Sequence, residues 1–106
     1  MPSGILGQST PSASTNTTIY TVPANTHTVC NLSIANRATT AATVRVALAA
    51  AATPTNAEYI EFDTTIPGLG VLERTGISLQ AAKLVVVFAS TANLSVSVYG
   101  VEQSTV

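Results

Sequence analysis

The sequence predicts an all-β domain: a single antiparallel β-sandwich of about seven strands with an extended N-terminal arm. Three observations predict it. Val, Ile and Thr, which suit a pleated surface, are abundant. Apolar and polar residues alternate with period two in several short stretches. Turn residues separate those stretches at spacings of roughly 8–12 residues. Jelly-roll and immunoglobulin-like connectivities both satisfy this pattern. A chain of 106 residues is long enough for one core and one domain. The expected boundaries are an extended arm over 1–16 and a sandwich over 17–106.

Residues 1–16, MPSGILGQSTPSASTN, are rich in Ser, Thr, Pro and Gly. Too little of the segment is apolar for it to fold alone. Two readings compete: a disordered tail, or an arm that orders against a neighbouring subunit with the bulky pair Ile5 and Leu6 as its anchor. Thr17 to Val22 reads as a short strand ended by Pro23. From Thr26 to Ala35, Cys30, Leu32 and Ile34 point one way while Asn31, Ser33 and Ala35 point the other. Asn36 to Thr40 is a polar connection. Ala42 to Leu48 alternates again, with Val44, Val46 and Leu48 inward and Arg45 and Ala47 outward. The alanine run 49–52 is confined to a loop by Pro54 and Asn56.

Glu58 to Ile66 and Val71 to Leu79 are two arms of a strand-turn-strand element. The turn is Ile66-Pro67-Gly68-Leu69-Gly70, where Pro presets one backbone angle and Gly permits the other. In the first arm, simple alternation puts Ile60 and Phe62 in the core and Tyr59, Glu61 and Asp63 on the opposite face. In the second, the odd spacing of Leu72 and Ile77 requires a bulge, and Gly76 is the place for it. Lys83 to Ala89, KLVVVFA, is apolar on both faces and reads as a central strand or as one covered by a partner. Asn93 to Val101 alternates with Leu94, Val96 and Val98 inward. Glu102 to Val106 reads as a polar tail.

Charged residues make up 8% of the chain, against about 25% in a typical soluble domain. An uncharged surface left bare is a liability, so the composition favours assembly, with a homo-oligomer expected. Net charge is −1 and the basic residues Arg37, Arg45, Arg74 and Lys83 are scattered. Nucleic acid is therefore not an expected partner. No stretch suits a membrane-spanning helix, and the N-terminus does not read as a signal peptide. The single Cys30 falls on an apolar position and reads as a buried free thiol.

No catalytic residue, cofactor or metal ligand is expected. His27 and Cys30 are three apart on a strand and fall on opposite faces. Glu61 and Asp63 stand about 6–7 Å apart on the alternating pattern, a spacing seen in paired catalytic carboxylates. Glycoside chemistry would also need a cleft and aromatic platforms, and the chain has no Trp. Pairing with Arg74 across strands is the simpler use of these acids. Pro67 to Gly70 lacks the Gly-Lys-Ser/Thr ending of a phosphate loop.

Three stretches, IYTVPANTHTVCNLSIANR, TAATVRVALAAAATPTNAEYIEFDTTIPGLGVLERTGISL and SVSVYGVE, resemble a family of small structural proteins of tailed bacteriophages. The resemblance runs from about Thr17 to Glu102 and is most specific over Tyr59 to Gly76. Phe62 stands where the family favours Tyr, and Gly68-Leu69-Gly70 where a more polar turn is commoner. The resemblance implies a virion component assembled in the bacterial host cytoplasm. It points first to a capsid decoration or cement protein that binds the major capsid protein or other virion proteins. A neck, tail or baseplate component, or a virion-surface binding module marked by exposed aromatics, are the alternatives it leaves. Candidate subunit-contact residues are Ile5, Leu6, Tyr59, Glu61, Asp63 and Arg74.

Overall fold

The computed structural model describes residues 3–106. Eight strands form two four-stranded antiparallel sheets. They are β1 (Ser3–Ser9), β2 (Asn16–Thr21), β3 (Thr26–Asn36) and β4 (Ala42–Ala49), then β5 (Tyr59–Ile66), β6 (Val71–Leu79), β7 (Leu84–Ala89) and β8 (Leu94–Ser104). Sheet A has the order β1-β8-β3-β6 and sheet B the order β2-β7-β4-β5. Pairing therefore nests: β4 with β5, β3 with β6, β2 with β7, β1 with β8. This is a hairpin doubled along its whole length and rolled up, the jelly-roll connectivity. Only β4 and β5 are both sequential and paired, which sets the immunoglobulin-like alternative aside.

The eighth strand is the one the sequence did not announce. The segment expected as an arm contributes β1, which pairs along β8 from Ser3↔Val101 to Ser9↔Val96. Ile5 and Leu6 order against the chain's own sheet. The first two residues of the expected arm, Met1 and Pro2, lie outside the described residues. At the other end, the expected polar tail continues β8 to Ser104. Glu102 faces inward opposite Thr28 and is buried.

The core lies between the sheets and follows the alternation closely on the central strands. Cys30, Leu32 and Ile34 from β3 meet Leu94, Val96 and Val98 from β8, with Val44 and Val46 from β4 and Val85 and Val87 from β7 opposite. The two central ladders, β3·β8 and β4·β7, run without a register shift. Each of the four edge ladders contains one or more. An extra residue on an edge strand puts two consecutive side chains on one face. Leu6 on β1, Ile19 on β2 and Ile60 on β5 are those extra residues, and each packs against the core. On β6 the bulge falls at Thr75-Gly76, where Gly76 takes φ +69°, the left-handed conformation that Gly accepts without strain.

The bulges on β5 correct the simple alternation there. Val46 pairs with Glu61 and Val44 with Thr64, so Phe62 and Asp63 both turn outward, Asp63 at φ +52°. Phe62 is 56% exposed rather than in the core. Ile60 and Glu61 both turn inward. The turn after β5 also differs from expectation. Leu69, not a glycine, carries the positive φ of +60°. Gly68 is needed for closeness instead: a Cβ there would stand 2.0 Å from the Thr39 carbonyl oxygen. Asn36 ties the two loops together. Its side-chain amide donates to the carbonyls of Thr40, Ile66 and Pro67, and its oxygen accepts from the Ala38 N–H.

Candidate interaction surface

Three places bring side-chain chemistry together: a buried polar cluster, the open mouth of the sandwich, and the two outer sheet faces. The buried cluster consists of Tyr20, Thr28 and Glu102. The Tyr20 hydroxyl donates to the Glu102 carboxylate and lies 2.9 Å from the Thr28 hydroxyl. Burial first, and the Glu102 hydrogen bond second, push the Tyr20 hydroxyl up to about 12. These contacts satisfy the groups that β2, β3 and β8 would otherwise bury unpaired. Cys30 nearby is a buried free thiol whose pKa is raised by burial, an inert arrangement.

At the mouth, the edge strands β5 and β6 face each other across the gap between the sheets. Arg74, turned inward by the β6 bulge, pairs with Glu61, turned inward by the β5 bulge. The Thr64 hydroxyl donates to the other Glu61 oxygen at 2.6 Å. Glu61 is buried and Arg74 half-exposed. Beside this pair opens a groove of about 410 Å³, lined by Leu48, Ile60, Ile77 and the bulge Arg74–Gly76. Glu61 and Asp63 thus do not share a face. Asp63 lies outside, held by Arg45 through Nε at 2.6 Å and Nη2 at 3.2 Å. That hydrogen bond lowers the Asp63 carboxyl and raises the Arg45 guanidinium.

The outer face of sheet B is covered by its own chain. Arg45 lies over the rings of Phe62, at 4.2 Å, and Phe88, at 5.0 Å. Tyr59 meets Phe62 edge-on at 5.1 Å and packs against Ala47, Ala49 and Val86. Those three outward residues are 0%, 0% and 2% exposed. The loop between β4 and β5 is drawn in by Glu58, which accepts from the N–H of Thr55 at 2.8 Å and of Ala50 at 3.1 Å. The Thr55 N–H first, with that of Ala50 adding to it, lowers the Glu58 carboxyl.

The outer face of sheet A is bare. Val29 and Val101 stand opposite each other on the central strands, and Ile5 stands opposite Tyr99 in the next row. Val29, Val101 and Ile5 are 50%, 57% and 60% exposed. Around them the face carries Asn31, Ser33, Ser78, Ser97, Gln8 and Gln103. Its titratable groups besides Tyr99 are His27, two residues along β3 from Val29 on the same face and 2.9 Å from the hydroxyl of Ser78, which pairs with Val29, and Glu73, opposite Ser33 on the edge strand β6. An apolar centre with a polar rim, carrying one carboxylate at Glu73, has the anatomy of an interface.

Of the six candidate contact residues, Ile5 alone lies on this bare face. Leu6 packs against the core, and Tyr59 closes sheet B's outer face. Glu61, Asp63 and Arg74 are engaged in ion pairs within the chain. Val29 and Val101 belong to the surface although neither is among those six, and Tyr99 joins them, facing outward as the alternation of its strand predicts. Their signal was a large apolar residue on the outward phase of an otherwise well-alternating strand.

Among the described residues, no group of three or more His, Cys, Asp and Glu side chains is placed to hold a metal ion. No helix among them is long and apolar enough to cross a membrane. No protein-family model matches the chain, and neither does any curated protein or solved structure. The class defined by fold and surface is therefore an eight-stranded jelly-roll sandwich with one self-covered and one bare outer face.

Proposed function

We propose that this chain is a non-enzymatic structural component of a bacteriophage virion, a capsid decoration or cement protein that stabilises the head. The observation that carries the reading is the outer face of sheet A, apolar at its centre and mostly uncharged around it, on a chain with 8% charged residues. Such a face is stable when neighbours cover it. The virion assignment draws on the resemblance of Tyr59 to Gly76 and its flanking stretches to small phage structural proteins. Jelly rolls occur in viral capsid proteins and also in lectins and cupins, so the fold alone supports assembly and binding equally. The aromatic cluster Tyr59, Phe62 and Phe88 is locked to Arg45 and to its own sheet, which weighs against its serving as a free binding platform.

Electron microscopy of virions carrying a labelled copy of the chain tests the reading. Label spread over the head, together with addition of purified protein to stripped capsids, is the expected result. Label confined to the neck, tail or baseplate would replace decoration with that role. Absence from purified virions would end the virion reading altogether.

A further inference from the structure

We propose that the outer face of sheet A is the contact surface of a homodimer, two copies of this chain packed face to face through Ile5, Val29, Tyr99 and Val101. Four observations carry this inference. The other outer face is roofed by its own chain, and the sheet edges are irregular. Sheet B's outer face is covered by Tyr59, Phe62, Arg45 and Phe88. All four edge strands carry register shifts, and a bulged edge is a poor template for edge-to-edge pairing. The charge pattern suits a second copy: a face whose centre has no charge meets itself without like-charge repulsion.

The arrangement also suits a two-fold interface. Val29 and Val101 stand side by side on antiparallel neighbours, so an axis between them stacks Val29 on the partner's Val101 and the reverse, the exchange an isologous contact requires. Finally, the size is adequate. Four strands about 4.8 Å apart, most of them nine to eleven residues long, present a flat projection of roughly 600 Å². Side-chain relief adds to that, bringing it near the roughly 800 Å² per partner of a standard interface. The proposal deepens the assembly reading and does not depend on the partner being a virion.

Sedimentation velocity of the purified full chain, over micromolar to hundred-micromolar concentrations, tests it. The wild type is expected at twice the 10.8 kDa chain mass. The doubly substituted Val29→Asp, Val101→Asp chain is expected to be monomeric, with its dissociation constant raised at least 100-fold. These side chains are half-exposed, so the circular-dichroism spectrum and melting temperature of the monomer should be preserved. Phe62→Ser, on sheet B's outer face, should leave the dimer intact. A wild type that is monomeric throughout overturns the proposal, as does a dimer indifferent to the two aspartates. A monomeric wild type whose addition to capsids is abolished by the same aspartates would overturn it in favour of a coat subunit as occupant. Failure to find the chain in virions, by contrast, would remove the virion reading and leave the dimer test standing.

Discussion

On sheet B the outward valine of a central strand, Val86, is 2% exposed; on sheet A the outward valines of the central strands, Val29 and Val101, are 50% and 57% exposed. Both sheets place a β-branched residue on the outward phase of a buried strand. On sheet B, Tyr59 and Leu84 pack over Val86, Ala47 and Ala49, and the β5 bulges throw Phe62 and Asp63 outward beside them, where Arg45 holds both. On sheet A the edge bulges deliver Leu6 and Gly76 instead, and neither roofs anything. Burial on these two outer faces thus follows which large side chains the neighbouring positions lay across them.

The sharpest way to break this contrast is to truncate the two kinds of outward valine. Val86→Ala should cost about 2–3 kcal/mol, from two buried methyl groups and the space they leave. Val29→Ala should stay within about 0.5 kcal/mol when measured at concentrations low enough that association adds nothing. Urea denaturation followed by far-ultraviolet circular dichroism gives both numbers. Equal losses would mean that the two faces are covered alike.

The interior between the faces supplies the next largest effect. Tyr20 is held neutral in the folded chain, its hydroxyl pushed up to about 12 from an ordinary value of 10.0. Its contribution is therefore complete below pH 10 and lost as pH rises through the folded value. Thermal melts from pH 8 to 11.5 should show a falling midpoint above about pH 10. In Tyr20→Phe that alkaline limb should shrink to the share of the buried Cys30 thiol, which is also raised, and the chain should start about 1–3 kcal/mol less stable because Glu102 and Thr28 lose a buried partner. A limb undiminished in Tyr20→Phe would assign it to another group.

The central strands were legible because period two holds where a strand is paired on both sides. Cys30 to Ile34, Val44 to Leu48 and Leu94 to Val98 fall as their alternation predicts. Of the edge strands β2, β5 and β6 were legible and β1 was not, and which side chains they turn inward was obscured, because a bulge breaks the period. The adjacent pairs Ile5-Leu6, Ile19-Tyr20 and Tyr59-Ile60 mark those breaks, and each lies on an edge strand. Gly76 was the one bulge that announced itself, through a glycine between Leu72 and Ile77. Phe62 misled because its burial depended on a register two residues away. The ion pairs were half legible: Glu61 with Arg74 follows from opposite charges on joined arms, but Asp63 with Arg45 requires knowing that β4 lies beside β5. The bare face was hidden for a different reason. Val29 and Val101 lie 72 positions apart, and only the β3·β8 register makes them neighbours.

The roof of sheet B can be lifted by removing Arg45, which touches Phe62, Phe88 and Asp63 at once. Arg45→Ala should cost about 1 kcal/mol, through lost ring contacts as much as lost charge. It should also raise the exposure of both phenyl rings, read as a higher rate of Phe-directed proteolysis at Phe62 and Phe88. Arg45→Lys should recover little, since an ammonium cannot bridge both Asp63 oxygens while lying flat between two rings. Full recovery by Lys would reduce the interaction to simple charge.

The smallest effect separates the two faces by pH. Asp63 is lowered by its hydrogen bond from Arg45, and Glu58 by the N–H groups of Thr55 and Ala50. Both belong to sheet B's roof and its loop. A lowered carboxyl contributes stability that is present above its ordinary value and is lost as pH falls through its folded value. Melting midpoints should therefore decline below about pH 4, and only gently, because both groups are exposed to solvent and screened. In Arg45→Ala the Asp63 share of that decline should vanish while the Glu58 share remains. The sheet A surface carries no comparable pair, so dimer dissociation should be flat over the same acid range while the monomer's stability falls. An acid-driven dissociation that precedes unfolding would show instead that a carboxylate, with Glu73 the nearest on that face, takes part in the contact.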